Sequence, residues 1–115
     1  MDDAMLMVAK WDAQGHSHPL IYHLIDTGCV AAALWEYGLT EGSRREISNW
    51  LGLDEVSAGE LIAYWAALHD IGKASPSFQI RSELTRPALE EHGFAFSPVR
   101  AFTRHHSLLS AWLLQ

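Results

Sequence analysis

Apolar residues recur at helical spacing along most of the chain. Leu20, Leu24 and Ala31 fall on one stripe of a helix, and the same three- to four-residue spacing returns after Ser57 and after Ser97. No segment alternates apolar and polar residues as a half-buried strand does, and no Asn-Gly pair marks a hairpin. The pattern therefore predicts an all-α fold.

Residues that begin and end helices divide the pattern. Serine followed three residues later by glutamate forms a capping box, and this pair occurs at Ser43–Glu46 and at Ser57–Glu60. The first helix is predicted to begin at Ser17, and residues 73–79 are predicted to form a loop. Glycines are predicted to end four helices: Gly38, Gly52, Gly72 and Gly93.

Composition fits one small domain. The 115 residues are 49% hydrophobic and 19% charged, close to an ordinary globular protein. No apolar run reaches the roughly 18 residues needed to cross a membrane, and the acidic start lacks the pattern of a secretion signal. A single cysteine, Cys29, excludes an internal disulfide and fits a reducing cytoplasm. We therefore expect a cytoplasmic protein that has no membrane partner.

Charge is unevenly distributed. The net charge is −6, with 3 basic and 11 acidic side chains in residues 1–70 but 5 basic and 3 acidic side chains in residues 71–115. A protein with a net negative charge binds nucleic acid weakly, because the phosphate backbone is also negative. A polyanionic substrate would therefore need local arginines or a bound metal.

Histidines carry the strongest chemical signal. His69 and Asp70 close an apolar helix, and Lys73 follows three residues later. Neighbouring residues on a helix diverge by about 100°, so this pair can reach two metal ions. His23 and His106 lie on other apolar helices, and inward-facing histidines from three helices can build a metal site. Imidazole with carboxylate suits manganese, iron, nickel or zinc better than magnesium.

A structural role competes with this interpretation. A single histidine on a helix is usually a hydrogen-bonded, partly buried side chain, and this reading is favoured for His23 or His106 taken alone. For His69–Asp70 followed by Lys73, the metal interpretation is favoured. His105 diverges by about 100° from its neighbour on a helix, so only one of the two is expected to face the site.

Three segments carry a resemblance to a known family. Residues 68–79, "LHDIGKASPSFQ", resemble the signature of HD-superfamily phosphohydrolases. More narrowly, they are similar to the N-terminal HD nuclease domain of the type I CRISPR-associated nuclease-helicase. Residues 18–31, "HPLIYHLIDTGCVA", and residues 104–114, "RHHSLLSAWLL", resemble the family's first and third motifs. The resemblance covers roughly residues 9–115.

The resemblance implies a role for each matching residue. His23 and His69 would be metal ligands, and Asp70 would be a catalytic carboxylate shared between two metals. His106 would be a ligand of the second metal, preferred to its neighbour His105 because its spacing to the following residues matches the family. Lys73 would neutralise phosphate charge at the reaction centre.

The resemblance also implies an HD-domain helical bundle, with residues 1–115 as the N-terminal part of that single domain. The family's closing aspartate has no counterpart, because no aspartate follows Asp70. The chain also stops at Gln115 within an apolar segment. We therefore expect a bundle that is incomplete at its C-terminus, and the resemblance leaves open whether these residues alone bind metal or are active.

The implied function is metal-dependent hydrolysis of single-stranded DNA in CRISPR interference. Its partners would be single-stranded DNA, an RNA-guided surveillance complex and a fused or separate helicase. Two alternatives stay open: an HD-type hydrolase of nucleotides or small phosphate esters, and a non-catalytic helical module. The second would bind a partner protein through its tryptophans and apolar C-terminal surface. The incomplete domain would also be able to dimerise through the face that its missing helices would cover.

Overall fold

Helices dominate the part of the chain that the structure describes. The computed structural model describes residues 3–96 and 105–115. Its α-helices in these ranges are α1 (Leu20–Ala33), α2 (Glu41–Leu51), α3 (Glu55–Leu68), α4 (Pro76–Gln79), α5 (Thr85–Glu91) and α6 (His106–Leu113). The predicted all-α class is confirmed. The predicted helix start near Ser97 lies outside the described residues.

Two short strands were missed by the sequence pattern. β1 (Val8–Trp11) and β2 (Ser17–Pro19) pair antiparallel, and at three to four residues they are too short to show an alternating pattern. Gly15 makes the turn between them at φ 82°, where a side chain would be strained. The first helix therefore begins at Leu20 rather than at Ser17.

Contacts divide the chain into two compact units. The first comprises the described parts of Met1–His23 and His69–Gln115. Its buried apolar side chains include Val8, Leu20 and Leu89. The buried Gln79 joins α4 to β1, because its carboxamide accepts from Val8 N and donates to Val8 O, each at 3.0 Å. The Gln79 carboxamide thus bonds the backbone N–H and carbonyl of Val8, which a neighbouring strand would otherwise bond.

The second unit, Leu24–Leu68, is built on close helix contacts. A Cβ on Gly28 would lie 3.1 Å from that of Ala67, so glycine lets α1 approach α3. The buried Trp35 ring packs on Gly59. Arg44 donates to the carbonyls of Trp35, Glu36 and Leu39 at 3.0–3.3 Å. These bonds satisfy carbonyl groups at the end of the π-helical turn Leu34–Gly38 that continues α1.

Helix ends lie slightly away from the predicted positions. Thr40, not Ser43, caps α2, and the α3 cap is Asp54, whose carboxylate accepts from Ser57 N at 2.9 Å. Gly52 ends α2 in the left-handed conformation, as predicted. α3 ends at Leu68, and a 3₁₀ turn, Ile71–Ala74, and α4 replace most of the predicted loop. None of the described helices is long and apolar enough to cross a membrane.

The α3 cap predicts a pH dependence of stability. The backbone N–H and hydroxyl of Ser57 lower the pKa of the Asp54 carboxyl from its ordinary 3.8. Its stabilisation should be present above the unfolded pKa and be lost as pH falls through the lower folded pKa. Asp54→Ala should therefore lower the melting temperature at pH 6, and the difference should shrink below pH 4. Glu46→Ala, which removes an exposed carboxylate that caps no helix, is the control and should show no such convergence.

Candidate metal centre

The predicted site residues come from three parts of the first unit. His23 lies in the first turns of α1, and His106 is the first residue of α6. His69 and Asp70 occupy the turn that follows α3, and Lys73 lies in the 3₁₀ turn after it. α3 ends before His69, so the side chains of His69 and Asp70 are not held about 100° apart, as neighbours on a helix are. Both side chains therefore reach the same place.

The Asp70 carboxylate is the point at which these side chains meet. His23 Nε2 lies 2.9 Å and His69 Nε2 lies 3.1 Å from Asp70 Oδ2. Lys73 Nζ donates to the same oxygen at 2.7 Å. His106 Nε2 lies 3.2 Å from the other oxygen, Oδ1. Among the described residues, three imidazoles and one ammonium therefore surround one carboxylate.

Burial and charge set the ionisation of the centre. The side chain of Asp70 is 9% exposed, and this burial alone would raise its pKa. The hydrogen bonds from Lys73 and His23, with the charge of Lys73, outweigh burial and hold the pKa of Asp70 below 3.8. Burial is the main cause that lowers the pKa of His106 below 6.5, against the raising effect of Asp70. At neutral pH the centre thus combines an ionised carboxylate with a neutral His106.

Gly72 fixes α6 against the centre. A Cβ at this position would overlap the His106 carbonyl oxygen and lie 2.7 Å from Ser110 N. The Gly72 N–H donates to Ser110 Oγ at 2.8 Å, and the Ser110 hydroxyl donates to the His106 carbonyl at 3.1 Å. The position of His106 therefore depends on backbone contact, which only glycine permits.

His105 has a different role from its neighbour. It caps α6, with its Nδ1 2.7 Å from Ser107 Oγ, and it is exposed. Because His105 precedes the helix and His106 opens it, only His106 reaches Asp70. The assignment of His106 rather than His105 as a metal ligand stays a prediction.

Two supporting residues were not assigned a role from the sequence. Gln79 donates to the Lys73 carbonyl at 2.7 Å, in addition to its bonds to Val8, so it holds the turn that carries Lys73. The Phe78 ring packs edge-on against the His106 ring at 5.4 Å between centroids. Both occur in the quoted segment 68–79, but a glutamine after an aromatic residue has no periodicity that marks it as buried.

The donor set fits a divalent transition metal. His23, His69 and Asp70 each offer a ligand atom, and these atoms lie within 4.8 Å of one another. Two imidazole nitrogens with a carboxylate oxygen suit manganese, iron, nickel or zinc. His106 faces the other carboxylate oxygen and lies outside that group of three. The group of His23, His69 and Asp70 has ligand atoms for one ion. A second ion near His106 stays a prediction.

Comparison with known proteins identifies the family. The family model described as "Cas3, HD domain" matches residues 9–115. The chain belongs to the Cas3 HD-domain family. This family implies dependence on a divalent metal, in agreement with the group of His23, His69 and Asp70.

Curated and solved relatives support the assignment. The chain is 33% identical over 115 residues to the CRISPR-associated nuclease/helicase Cas3 of Streptococcus thermophilus, covering 84% of this chain and 12% of that protein. It is 32% identical over 99 residues to the CRISPR-associated endonuclease/helicase Cas3 of Thermus thermophilus, covering 85% and 11%. The chain thus spans about one eighth of these relatives.

Two crystal structures show the same fold. The structure of T. fusca Cas3 with ATP matches 89% of this chain and 11% of that one, with TM-score 0.77 and 32% identity. A structure described as a CRISPR-associated protein matches 94% and 12%, with TM-score 0.82 and 31% identity. The predicted HD-domain family and helical class are confirmed. The prediction that residues 1–115 are the N-terminal part of a single HD domain stays a prediction, as do the ligand roles of the site residues.

Metal titration tests the ligand assignment. Asp70→Asn and His23→Asn should each weaken Mn²⁺ binding by more than the roughly 10- to 100-fold that loss of an outer-sphere partner costs. Titration followed by electron paramagnetic resonance measures free Mn²⁺ directly. The control is His92→Asn, an exposed histidine after α5 whose Nδ1 lies 2.9 Å from the Ala88 carbonyl oxygen. Equal Mn²⁺ affinity in all four proteins would contradict the assignment.

Substitution at Gly72 tests the backbone contact. Gly72→Ala should destabilise the chain by about 1–3 kcal/mol, because the added methyl overlaps α6. Metal affinity should change less than in Asp70→Asn, since none of the three grouped donors lies on α6. Gly42→Ala in α2, where the nearest atom is 3.9 Å away, should be neutral or stabilising by up to about 1 kcal/mol. Chemical unfolding measures the stability of the two glycine variants. Equal stability of the two would contradict the backbone contact.

Proposed function

We propose that this chain is a metal-dependent phosphodiesterase domain that cleaves single-stranded DNA in CRISPR interference. The observation that carries the proposal is the convergence of three imidazoles and a lysine on the Asp70 carboxylate. Family membership supports the same conclusion, because the relatives it matches are named as nuclease/helicases.

Each residue of the centre has a distinct task in this proposal. His23, His69 and Asp70 would hold a divalent ion. Such an ion, when bound, lowers the pKa of water and polarises phosphate oxygens. Asp70 stays ionised at neutral pH because its pKa is held low, so it can bind a cation across the working range of pH. His106 stays neutral and offers Nε2 on the other side of the same carboxylate.

Lys73 supplies positive charge without being a ligand. Its ammonium lies 2.7 Å from Asp70, and its side chain is only 14% exposed. A partly buried ammonium next to the reacting group stabilises negative charge that develops on phosphate oxygens. The Gln79 bond to the Lys73 carbonyl holds this turn in place, so the charge is positioned before substrate arrives.

The proposed partners follow from the relatives. The chain covers about one eighth of proteins whose names include a helicase, so we propose that it acts with a fused or separate helicase and an RNA-guided surveillance complex. Single-stranded DNA is the proposed substrate, because a helicase produces single strands. Dimerisation stays a prediction; its motivation is exposed apolar side chains such as Trp50 (82% exposed) and Trp112 (70% exposed).

A nuclease assay tests the proposal. With Mn²⁺, the chain should cleave a 5′-labelled single-stranded oligonucleotide, and EDTA or Asp70→Asn should abolish cleavage. Lys73→Met should lower kcat by about 100-fold while Mn²⁺ binding persists or tightens, since it removes a cation from beside Asp70. Glu46→Gln, an exposed carboxylate on α2, is the matched control and should keep full activity.

The same assay separates the alternatives. Faster hydrolysis of nucleotides or small phosphate esters than of single-stranded DNA would contradict the proposed substrate and favour a small-molecule hydrolase. Absence of both Mn²⁺ binding and cleavage, with Asp70→Asn changing only stability, would contradict enzymatic function and favour a non-catalytic helical module.

A further inference from the structure

We propose that a cleft next to the metal centre binds one nucleotide of the single-stranded DNA that flanks the phosphate to be cleaved. The cleft lies between β1 and the α4 region of the first unit, and its lining includes Lys10, Trp11, Phe78 and Arg81. The inference rests on the proposed nuclease function and adds a substrate subsite to it.

The size and walls of the cleft suit one base. Its volume is about 170 Å³, and it is open to solvent. Trp11 and Phe78 contribute aromatic rings to the walls, and Val8 contributes an aliphatic side chain. Bases of single-stranded nucleic acid stack on aromatic side chains without regard to sequence. The cleft is too small for a base pair together with its backbone, so an unpaired base is the fitting ligand.

Trp11 is held in place by a neighbouring hydroxyl. Its indole Nε1 donates to Thr85 Oγ1 at 2.9 Å, and Thr85 is buried. Since the indole N–H is used in this bond, Trp11 contacts a ligand through the face of its ring and not as a hydrogen-bond donor. A ring fixed in advance loses little conformational entropy when a base stacks on it.

The charge of the cleft is complementary to a nucleotide. Lys10 and Arg81 are exposed residues of its lining, and none of the described lining residues is acidic. This is unusual in a chain whose net charge is −6. The Arg81 guanidinium carbon lies 5.5 Å from the centre of the Phe78 ring, so cation and aromatic wall adjoin. Apolar walls with two cations at the rim match a base with its phosphates.

The cleft and the metal centre share the Phe78 ring. One wall of the cleft is Phe78, whose ring lies 5.4 Å from the His106 ring and 5.7 Å from Lys73 Nζ. Lys73 in turn contacts Asp70. A nucleotide in the cleft would therefore lie beside the centre, separated from Asp70 by the side chains of Phe78 and Lys73.

An abasic scan tests the subsite. The probe is a fluorescein-labelled oligothymidylate of eight nucleotides, with one base removed at each position in turn. Binding is followed by the fluorescence anisotropy of the probe in a buffer that contains Ca²⁺. For the unaltered chain, removal of one particular base should weaken binding roughly 5- to 150-fold, the range measured for base–aromatic stacking. Trp11→Leu should weaken binding of the intact strand by a similar factor and show no further loss at that position.

Charge variants give a second, independent measurement. Arg81→Gln and Lys10→Gln should each weaken binding and make its salt dependence less steep, because a phosphate contact is lost. Both residues are exposed, so folding should be preserved, and melting temperatures check this. Arg86→Gln removes the same charge nearby, at an arginine that pairs with Glu90 and lies outside the cleft. This control and Trp50→Leu, an exposed tryptophan of the second unit, should bind as the unaltered chain does.

The outcomes separate the cleft from the proposed function. Three results would overturn the proposed subsite. They are absence of binding, insensitivity to every abasic position, and an abasic penalty that persists in Trp11→Leu. Cleavage of single-stranded DNA in Mn²⁺ with any of these results would leave the nuclease function standing. Base-dependent binding that requires Trp11 and Arg81 supports the cleft; if cleavage is then absent with Mn²⁺, the nuclease function alone is contradicted.

Discussion

The contact between Gly72 and the first turns of α6 brings His106 to the Asp70 carboxylate, around which the whole centre is built. Asp70 is two residues before Gly72, and His106 begins the helix that packs on it. Hydrogen bonds through Ser110 join the Gly72 N–H to the His106 carbonyl. Because this contact is between backbones, its distance is set by the absence of a side chain rather than by flexible packing. It converts a sequence separation of 36 residues into a 3.2 Å approach between Asp70 and His106.

The buried carboxylate explains why the surrounding groups are basic. A carboxylate that is 9% exposed loses hydration, and its charge is tolerated only with partners that replace water. Lys73 and the three imidazoles supply them. Part of this requirement can be met by a metal ion, since the same imidazole nitrogens are metal ligands when neutral. Stability and the proposed metal binding would therefore use the same atoms, and a change at Asp70 is expected to affect both.

The sequence was sufficient for the helical class and for which residues meet, but not for how they meet. The sequence predicts a site at His69, Asp70 and Lys73 because three reactive groups follow an apolar helix. The local geometry was not predictable, because α3 ends at Leu68 and the pair lies in a turn. The helix caps lie three residues before the predicted serines, because Thr40 and Asp54 are as suitable as caps as Ser43 and Ser57 are. The strands, Gln79 and Ser110 depend on partners distant in sequence, which no local pattern reveals.

The first unit combines residues from both ends of the described chain, and this arrangement bears on function. β1 reaches α4 through the bonds between Val8 and Gln79, while Gln79 also holds the turn that carries Lys73. One glutamine therefore links the aromatic and basic cleft to the charged centre. Because the chain as a whole is acidic, attraction of a polyanion must come from such local groupings rather than from the net charge. Under the proposed function, a DNA strand should accordingly bind on this unit, within a few side chains of Asp70.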